Sequence, residues 1–229
     1  MAHDYVQLPE RLAVQAPKLD SFYQQYLVDH DAARFVRWVQ QWYTVGTLER
    51  LVRHPARLTR RGAVLALGLI GDYGSNSVLG QALNDEDRGV RLLADQALRS
   101  VWCRAGSERD RQQIALVIRL NTSRQFEAAI LAASELIARA PWFAEAWNQR
   151  AIAYYSTSRY EESISDCREA LELNPYHFGA AAGMGQCYMQ LANPRAALEC
   201  FRQALALNPD LEGVRANVVQ LERALGQGK

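Results

Sequence analysis

Cysteine and histidine side chains could bind a metal ion or act as nucleophiles and bases, but in this chain they are scattered. The four cysteines and four histidines are Cys103, Cys167, Cys187, Cys200, His3, His30, His54 and His177. No two cysteines have the spacing of about two to four residues that is typical of a zinc site. Three of the cysteines fall at helical apolar positions, where cysteine acts as a small hydrophobic residue. We therefore predict no catalytic residues, no metal site and no cofactor.

Arginine forms a second group with clear chemistry. Seven arginines lie between residues 30 and 70, against only two acidic residues; they are Arg34, Arg37, Arg50, Arg53, Arg57, Arg60 and Arg61. Such a cluster could contact phosphate groups, so that nucleic-acid binding is a candidate function. The formal net charge of +1 indicates no general attraction to nucleic acid. Because the arginines fall on different helices, we favour ordinary solvated helix faces, with Arg60 used structurally.

The composition indicates a folded protein without a membrane-spanning segment. Apolar residues make up 49% of the chain and charged residues 22%, which is ordinary for a soluble domain. The N-terminus has no basic stretch followed by an apolar core, so we predict no secretory signal. The apolar stretch at 63–70 is too short to cross a membrane, which needs about 20 residues. We predict a cytoplasmic protein.

An octapeptide that recurs 34 positions later gives the clearest information about the elements of the fold. Residues 168–175, REALELNP, return as residues 202–209, RQALALNP. Within 141–174 the apolar residues have helical spacing on both sides of a polar break, where Ser158 and Glu161 have the spacing of a capping box. Each unit is therefore predicted to consist of a helix, a turn and a second helix.

This unit resembles the tetratricopeptide repeat, whose signature has a tryptophan, a small residue and a tyrosine on the first helix, then small residues and a proline. The matching residues are Trp147, Ala151, Tyr154, Ala170 and Pro175. The resemblance implies an all-α fold, an α-solenoid of stacked antiparallel helix pairs in a right-handed superhelix. It implies three tetratricopeptide units, the first of them degenerate, and a capping helix, at 107–140, 141–174, 175–208 and 209–225.

A shorter repeat, offset by 31 residues, precedes these units. Arg60, Ala63, Ala66 and Leu67 return as Arg91, Ala94, Ala97 and Leu98. The region 46–106 therefore resembles two HEAT-like repeats of the compact kind found in bacterial scaffolds and in phycobilin lyases. In that family, an arginine near the start of the second helix pairs with an acidic residue of the turn. The resemblance implies that Arg91 pairs with Asp85 or Asp87.

An aromatic-rich helical segment, 19–45, lies before the HEAT-like units. The four residues that share one helical face are Phe35, Trp38, Val39 and Trp42. Asp31 is a plausible N-cap of this helix. The aromatic face could dock a partner or cover the open end of the HEAT-like stack, and we favour the cover because large exposed apolar patches are rare. Residues 1–18, with two prolines, are predicted to be mobile.

Between the two kinds of repeat, residues 105–107 are predicted to form an elbow. In the HEAT family the second helix of each unit lines the concave side, whereas in tetratricopeptide repeats the first helix does. The helices on either side of the elbow would then both face inward. A regularly alternating stack does not allow this, so we expect a bend or a change of register.

The tetratricopeptide resemblance also implies a groove lined by the first helix of each unit. Mapped onto this chain, the groove residues are Arg111, Ile118, Asn121, Glu145, Asn148, Gln149, Ile152, Tyr155, Gln186, Met189, Gln190 and Asn217. Their amides offer donors and acceptors to a peptide backbone. The set lacks the basic residues with which some tetratricopeptide proteins clamp a chaperone's C-terminal carboxylates, so we predict against that ligand.

These features favour a non-catalytic scaffold or adaptor that binds a protein or peptide partner in the groove. Two alternatives stay open. The HEAT-like resemblance allows a lyase-type enzyme or subunit that handles a tetrapyrrole, although no nucleophile and base form a recognisable motif. The arginine cluster at 34–61 allows nucleic-acid binding, which must weaken steeply with salt. The sequence does not identify the partner, because one fold serves many functions.

Overall fold

Thirteen α-helices and one short 3-10 helix make up residues 17–226, the part of the chain that the computed structural model describes, and no β-strand occurs among them. The helices are α1 (Lys18–Asp29), α2 (Ala32–Trp42), α3 (Val45–Leu51), α4 (Arg57–Ile70), α5 (Asn76–Ala82), α6 (Arg88–Cys103), α7 (Glu108–Thr122), α8 (Phe126–Arg139), α9 (Ala144–Ser156), α10 (Tyr160–Leu173), α11 (Phe178–Gln190), α12 (Pro194–Leu207) and α13 (Glu212–Gly226). The predicted all-α solenoid of stacked helix pairs is confirmed.

The ends of the chain are described only in part. Of the segment predicted to be mobile, 1–18, residues 1–16 lie outside the described residues, and α1 begins at Lys18. The predicted capping helix at 209–225 corresponds to α13. No helix of 17–226 is both long enough and apolar enough to cross a membrane.

The N-terminal half packs α1 to α6 around one apolar core. Its centre is the pair α4 and α6, with α3 against α4 and α5 against α6. Leu67 and Leu98, which the 31-residue repeat aligns, are both fully buried in this core. A Cβ atom on Gly68 would lie 2.9 Å from the Cβ of Ala97. Small residues therefore let α4 and α6 approach closely.

The aromatic face of α2 is divided between the core and the surface. Phe35 and Val39 are buried, whereas Trp42 is 52% exposed. The predicted cap is confirmed, because the Asp31 side chain accepts a hydrogen bond from the backbone N–H of Arg34. With α1 and α2 both packed on α4, the buried part of this face covers the HEAT-like stack.

The C-terminal half repeats one helix–turn–helix geometry three times, in the pairs α7–α8, α9–α10 and α11–α12. Each turn has a residue in the left-handed conformation, namely Arg124 (φ 60°), Ser158 (φ 62°) and Ala192 (φ 52°). In each turn the next backbone N–H donates to the carbonyl oxygen five residues earlier, at 2.9 Å. The same turn thus occurs in 107–140, although that unit lacks the first-helix aromatic residues.

The predicted capping box of Ser158 and Glu161 is wrong. Ser158 takes the left-handed conformation of the turn, and α10 begins only at Tyr160, with Arg159 as an N-cap that makes no side-chain bond. The turn is closed instead by the backbone N–H of Arg159, which donates to the carbonyl oxygen of Tyr154. Backbone geometry, rather than a serine hydroxyl, sets the start of the helix.

The chain changes its packing between α6 and α7, where the elbow was predicted. Ala105 is buried and Gly106 has a φ of 80°, a conformation that glycine adopts without steric cost. Ser107 then begins α7 with a capping box that it forms with Asp110. Helix α6 packs mainly on α4 and α5, which precede it, and makes few contacts with α7, which follows it. The regular alternation of helices therefore stops at 105–107.

The two halves also meet at a distance from this junction, which the sequence analysis did not predict. The Asn-Pro turns that follow α10 and α12 lie against α5 and α6. Asn76 donates to Asn174 Oδ1 at 2.9 Å, and Asn208 donates to Asp95 Oδ1 at 2.7 Å. The recurring Asn-Pro sequence therefore docks two successive repeats on the N-terminal half.

Arg60 joins the two HEAT-like units to each other. Its Nη1 donates to the backbone carbonyl oxygens of His54 and Pro55, in the turn before α4. Its Nε and Nη2 lie 2.8 Å and 2.9 Å from the carboxylate oxygens of Asp85, in the turn before α6. The expected structural use of Arg60 is thus observed, and its carboxylate comes from the following unit.

Arg91 makes the corresponding contacts one unit later. Its Nη1 donates to the backbone carbonyl oxygens of Asp85 and Glu86, and its Nε lies 2.8 Å from Oδ2 of Asp210. The predicted pairing of Arg91 with the carboxylate of Asp85 or Asp87 is wrong, because those carboxylates bind the arginines of the preceding unit. The C-terminal half supplies the carboxylate for Arg91.

Candidate functional site

A cleft of about 390 Å³ opens where α6 of the N-terminal half closes one side of a groove formed by α7, α9, α10 and α11. This volume lies within the range of about 300–1,000 Å³ that is usual for ligand sites in proteins. Both halves of the chain contribute side chains to it, so that the cleft depends on the docking of the halves.

A carboxylate and an imidazole form the buried floor of the cleft. Glu145 Oε2 lies 2.9 Å from His177 Nε2, and the two residues are only 6% and 1% exposed. The backbone N–H of Ala180 donates to His177 Nδ1 at 3.1 Å, so that Nδ1 carries no proton. The ring proton is therefore on Nε2, and a neutral His177 donates it to Glu145.

Glu145 keeps its negative charge in this buried position. Burial raises the pKa of Glu145, but the hydrogen bond and electrostatic attraction of the His177 ring, with hydrogen bonds from Gln149 and Asn148, outweigh this effect and hold the pKa below its ordinary value. Gln149 and Asn148 donate to Oε1 at 2.7 Å and 3.3 Å. The carboxylate also belongs to the first turn of α9, where the helix dipole favours a negative charge.

Trp102 of α6 fixes the orientation of His177 from the other half of the molecule. The two rings stack with their centroids 4.2 Å apart, and Trp102 also packs on Phe178 at 5.2 Å. Trp102 Nε1 donates to Asn76 Oδ1 at 2.7 Å, and Asn76 in turn donates to Asn174. These bonds satisfy the indole N–H of Trp102 and both polar atoms of the Asn76 side chain at the point where the halves meet, whereas Asn174 Nδ2 makes no hydrogen bond within the described residues.

Small residues form much of the α11 wall of the cleft. Gly179 and Gly183 line this wall. A Cβ on Gly183 would lie 3.3 Å from the Sγ of Cys167, so that this glycine also lets α11 pack closely on α10. Ile118 and Ile152 line the cleft from α7 and α9. The cleft therefore offers open space between an apolar side and a wall of small residues, above a charged floor.

Two thiols line the cleft, but they are not in the reactive form. Burial raises the pKa of Cys103 to about 12, and the charge of Glu145 adds to the rise. Burial raises the pKa of Cys167 as well. Because the thiolate is the nucleophile, neither residue is poised for attack at neutral pH. All four cysteines are free, and residues 17–226 contain no group of three side chains suited to hold a metal ion.

Seven of the twelve predicted groove residues line this cleft; they are Ile118, Glu145, Asn148, Gln149, Ile152, Tyr155 and Gln186. Asn121 lies next to it, where its side chain donates to Gln149 Oε1 at 2.9 Å. Gln190 donates to the hydroxyl of Tyr155 at 3.4 Å. Met189 is 38% exposed and does not line the cleft.

Arg111 and Asn217 lie elsewhere. Arg111 pairs with Glu108 on its own helix and donates to the carbonyl oxygen of Gly106. Asn217 belongs to α13, which packs on α12. The predicted row of residues is therefore interrupted at both ends.

Sequence reasoning missed the residues that close the cleft. Arg99, Trp102 and Cys103 belong to α6 and line the cleft beside His177. Their approach depends on the docking of the two halves, which no local pattern reveals. The available signals were a large aromatic residue at the end of the HEAT-like region and a histidine directly after an Asn-Pro-Tyr sequence.

The arginine cluster at 34–61 does not form a free basic face. Arg34, Arg60 and Arg61 are held in ion pairs with acidic side chains. Arg60 is also buried. Since three of the seven positive charges are already paired, the structure weakens the interpretation of this cluster as a phosphate-binding surface.

Comparison with protein families divides the chain between two kinds of helical repeat. The model of HEAT repeats matches residues 27–136, and the model of the tetratricopeptide repeat matches 144–177 and 180–211. The HEAT match extends through α7 into α8. The turn between these two helices nevertheless has the geometry of the two following tetratricopeptide turns.

Known proteins resemble parts of this chain. A TPR repeat-containing protein of Rhizobium etli is 34% identical over 82 residues, which cover 36% of this chain and 40% of that protein. The Hsp70-Hsp90 organizing protein of Triticum aestivum is 28% identical over 100 residues, 44% of this chain and 17% of that protein. The chain thus matches less than half the length of either relative.

Among solved structures, the first TPR domain of Spaghetti, bound to an HSP90 peptide, has a TM-score of 0.51 and 19% identity, and the match covers 53% of this chain and 96% of that domain. This likeness concerns the fold alone. The chain is a helical repeat protein in which residues 27–136 match HEAT repeats and residues 144–177 and 180–211 match the tetratricopeptide repeat.

Proposed function

We propose that this chain is a non-catalytic, cytoplasmic interaction scaffold that binds a peptide segment of a partner protein in the cleft between α6, α9 and α11. The observation that carries the proposal is that seven groove residues, chosen by their place in the repeat, converge on one cleft. Because α6 closes one side, the cleft suits a short segment with one inserted side chain. The proposal keeps the predicted division into a cap at 19–45, HEAT-like units at 46–106 and tetratricopeptide units at 107–208.

The lining has the mixed character that peptide recognition needs. Ile118, Ile152 and Tyr155 offer apolar contact for a side chain. The Gln186 amide makes no hydrogen bond with any other described residue of 17–226 and is free to bind a peptide backbone. An apolar pocket with a few placed polar groups is the usual form of a ligand site.

The nature of the floor favours a ligand other than an acidic tail. The first TPR domain of Spaghetti binds an HSP90 peptide, and this supports a peptide as the class of ligand here. In this chain the floor carries the buried charge of Glu145, and the cation at the rim, Arg99, is paired with Asp95 at 2.9 Å. A ligand carboxylate would meet repulsion, so we retain the prediction against a chaperone carboxylate tail.

A display library of random decapeptides tests the proposal. Peptides selected on the wild-type protein are measured against Ile152→Trp, which fills the mouth of the cleft, and against Leu131→Trp. Leu131 is 65% exposed on α8 and lies outside the cleft, so that it is a matched control. We expect Ile152→Trp to weaken binding about tenfold or more, as loss of a buried anchor does, and Leu131→Trp to have no effect. Equal binding by both variants would refute the cleft as the site.

A further inference from the structure

We propose that the cleft selects a lysine side chain of its peptide ligand and binds the ammonium group at the carboxylate of Glu145. This inference rests on the proposed function and adds the chemistry of the residue that enters the cleft. It follows from the charge of the floor, from the hydrogen-bond acceptors around it and from the shape of the walls.

The floor carries one negative charge without a neutralising cation. His177 is neutral, because its Nδ1 accepts the backbone N–H of Ala180 and its single ring proton is donated to Glu145. Within 17–226, no lysine or arginine forms an ion pair with Glu145. Arg99, at the rim, is paired with Asp95 and packs over the Phe178 ring at 4.8 Å.

The protein stabilises this charge without cancelling it. Three side chains donate hydrogen bonds to the carboxylate, and the first turns of α9 and α11 contribute the partial positive charge of their dipoles. Partial charges of this kind keep the carboxylate ionised in the protein. A ligand cation would add the full positive charge that the buried site lacks.

The acceptors around the floor match the donors of an ammonium group. A carboxylate has about four acceptor positions, and His177, Gln149 and Asn148 occupy three of those on Glu145. Asn148 donates through Nδ2, which leaves its Oδ1 as an acceptor. Gln186 faces the same cleft from α11. Together these residues can accept the three N–H groups of one ammonium.

The walls favour a long, unbranched side chain. Because Glu145 is only 6% exposed at the floor, a ligand group reaches it only on a slender stem. The methylene groups of lysine can lie along Ile118 and Ile152, while Gly179 and Gly183 leave space on the opposite wall. Lysine carries its charge as a compact point, whereas arginine ends in a wider planar group with five donors.

The test uses a synthetic peptide from the display selection and three versions of it. The selected lysine is replaced by norleucine, which keeps the stem and removes the charge, by Nε-acetyl-lysine and by arginine. We expect the norleucine and acetyl-lysine peptides to bind wild-type protein about tenfold or more weakly, since loss of a buried charge partner has a large effect on affinity. The arginine peptide should bind less tightly than the lysine peptide.

Variants of the protein locate the selectivity. Glu145→Gln preserves size and an acceptor for His177, and it should bind the lysine and norleucine peptides within about threefold of each other, because the charge pair is gone. Circular dichroism and thermal unfolding establish that the variant is folded. If Glu145→Gln does not fold, Gln186→Leu, on the half-buried side of α11, should still reduce the preference for lysine.

The outcomes separate this inference from the proposed function. Selected peptides without lysine, or a norleucine or arginine peptide that binds wild-type protein as tightly as the lysine peptide, would overturn the inference. The scaffold proposal would then stand, provided that Ile152→Trp still weakens peptide binding and Leu131→Trp does not. Peptides that bind Ile152→Trp and wild-type protein equally would overturn both. Loss of lysine preference in Glu145→Gln, with peptide binding retained, supports both.

Discussion

Arg60 and Arg91 occupy equivalent positions in the two HEAT-like units and make equivalent bonds to different kinds of partner. Each donates to two backbone carbonyl oxygens of the preceding turn and binds an aspartate carboxylate, and Arg60 also donates to the exposed Glu86 at 3.0 Å. For Arg60 the carboxylate is Asp85, in the next HEAT-like turn, and for Arg91 it is Asp210, which is 119 residues away along the chain. The C-terminal half thus takes the place that a third HEAT-like turn would occupy.

The two arginines differ in their exposure to solvent. The side chains of Arg60 and Asp85 are 8% and 13% exposed, while those of Arg91 and Asp210 are 20% and 21% exposed. Solvent screens an exposed ion pair and reduces its contribution to stability, whereas breaking a buried pair leaves an unpaired charge. The buried ion pair between Arg60 and Asp85, the inner junction, therefore holds the HEAT-like core together. The more exposed ion pair between Arg91 and Asp210, the outer junction, aligns the two halves and with them the α6 wall of the cleft.

Removal of Arg60 should have the largest effect. Arg60→Ala leaves Asp85 without its cation and two carbonyl oxygens without their donor, so we expect the free energy of unfolding to fall by about 3–4 kcal/mol. Urea denaturation followed by circular dichroism measures this change. Arg37→Ala, at an exposed position on α2, is the control and should change stability by less than about 0.5 kcal/mol. Similar effects of the two substitutions would contradict a structural role for Arg60.

A pair of glycines extends the comparison from ion pairs to packing. A Cβ on Gly68 would lie 2.9 Å from the Cβ and 3.2 Å from the Cα of Ala97, so that α4 and α6 would have to separate. A Cβ on Gly80 would lie 2.2 Å from Cδ1 and 2.4 Å from Cγ of the half-buried Tyr176 in the other half, so that the whole Tyr176 side chain would have to swing away by rotation about its Cα–Cβ bond. We expect Gly68→Ala to cost about 2–3 kcal/mol and Gly80→Ala about 1 kcal/mol.

Thermal unfolding of the two glycine variants provides the measurement. If Gly80→Ala proved the more destabilising substitution, the contact between the halves would be as tightly packed as the HEAT-like core. The distinction between an inner and an outer junction would then fail.

The parts of the fold that repeat could be predicted, because they depend on local sequence. The octapeptide ending at Pro175 and Pro209 gave the helix pairs, and the equivalence of Arg60 with Arg91 gave the HEAT-like units. The carboxylate partner of Arg91 could not be predicted in the same way. It comes from the other half, and no periodicity relates residues that meet only through tertiary docking.

Because periodicity reveals only local relationships, it identified some residues of the cleft and not others. Asn148, Ile152 and Tyr155, which the repeat alignment put in the groove, line the cleft together because they share one face of a single helix. Trp102 and His177 were missed because they belong to different kinds of repeat and stack only after the halves dock. Arg111 satisfies its charge on its own helix, with Glu108, which a repeat alignment does not reveal.

Removal of Arg91 should have as small an effect on stability as Gly80→Ala, but a more specific one. Because this ion pair is partly exposed and screened, we expect Arg91→Ala to lower the free energy of unfolding by about 1 kcal/mol. The hydrogen bonds from Arg91 lower the pKa of Asp210. A carboxyl group whose pKa is lower in the folded state stabilises that state above its ordinary pKa and loses this contribution as the pH falls.

Hydrogen exchange at 208–212 should therefore quicken in the wild-type protein as the pH falls below about 4, the ordinary pKa of aspartate, once the intrinsic pH dependence of exchange is corrected. In Arg91→Ala the same amides should exchange quickly at neutral pH and change little with acid. Arg91→Lys should restore exchange only in part, because lysine supplies the charge without the planar fork that reaches the carboxylate and two carbonyl oxygens. Full protection from exchange in Arg91→Lys would mean that positive charge alone joins the halves at this point. Arg91 and Arg60 would then occupy equivalent repeat positions without depending on the same hydrogen bonds.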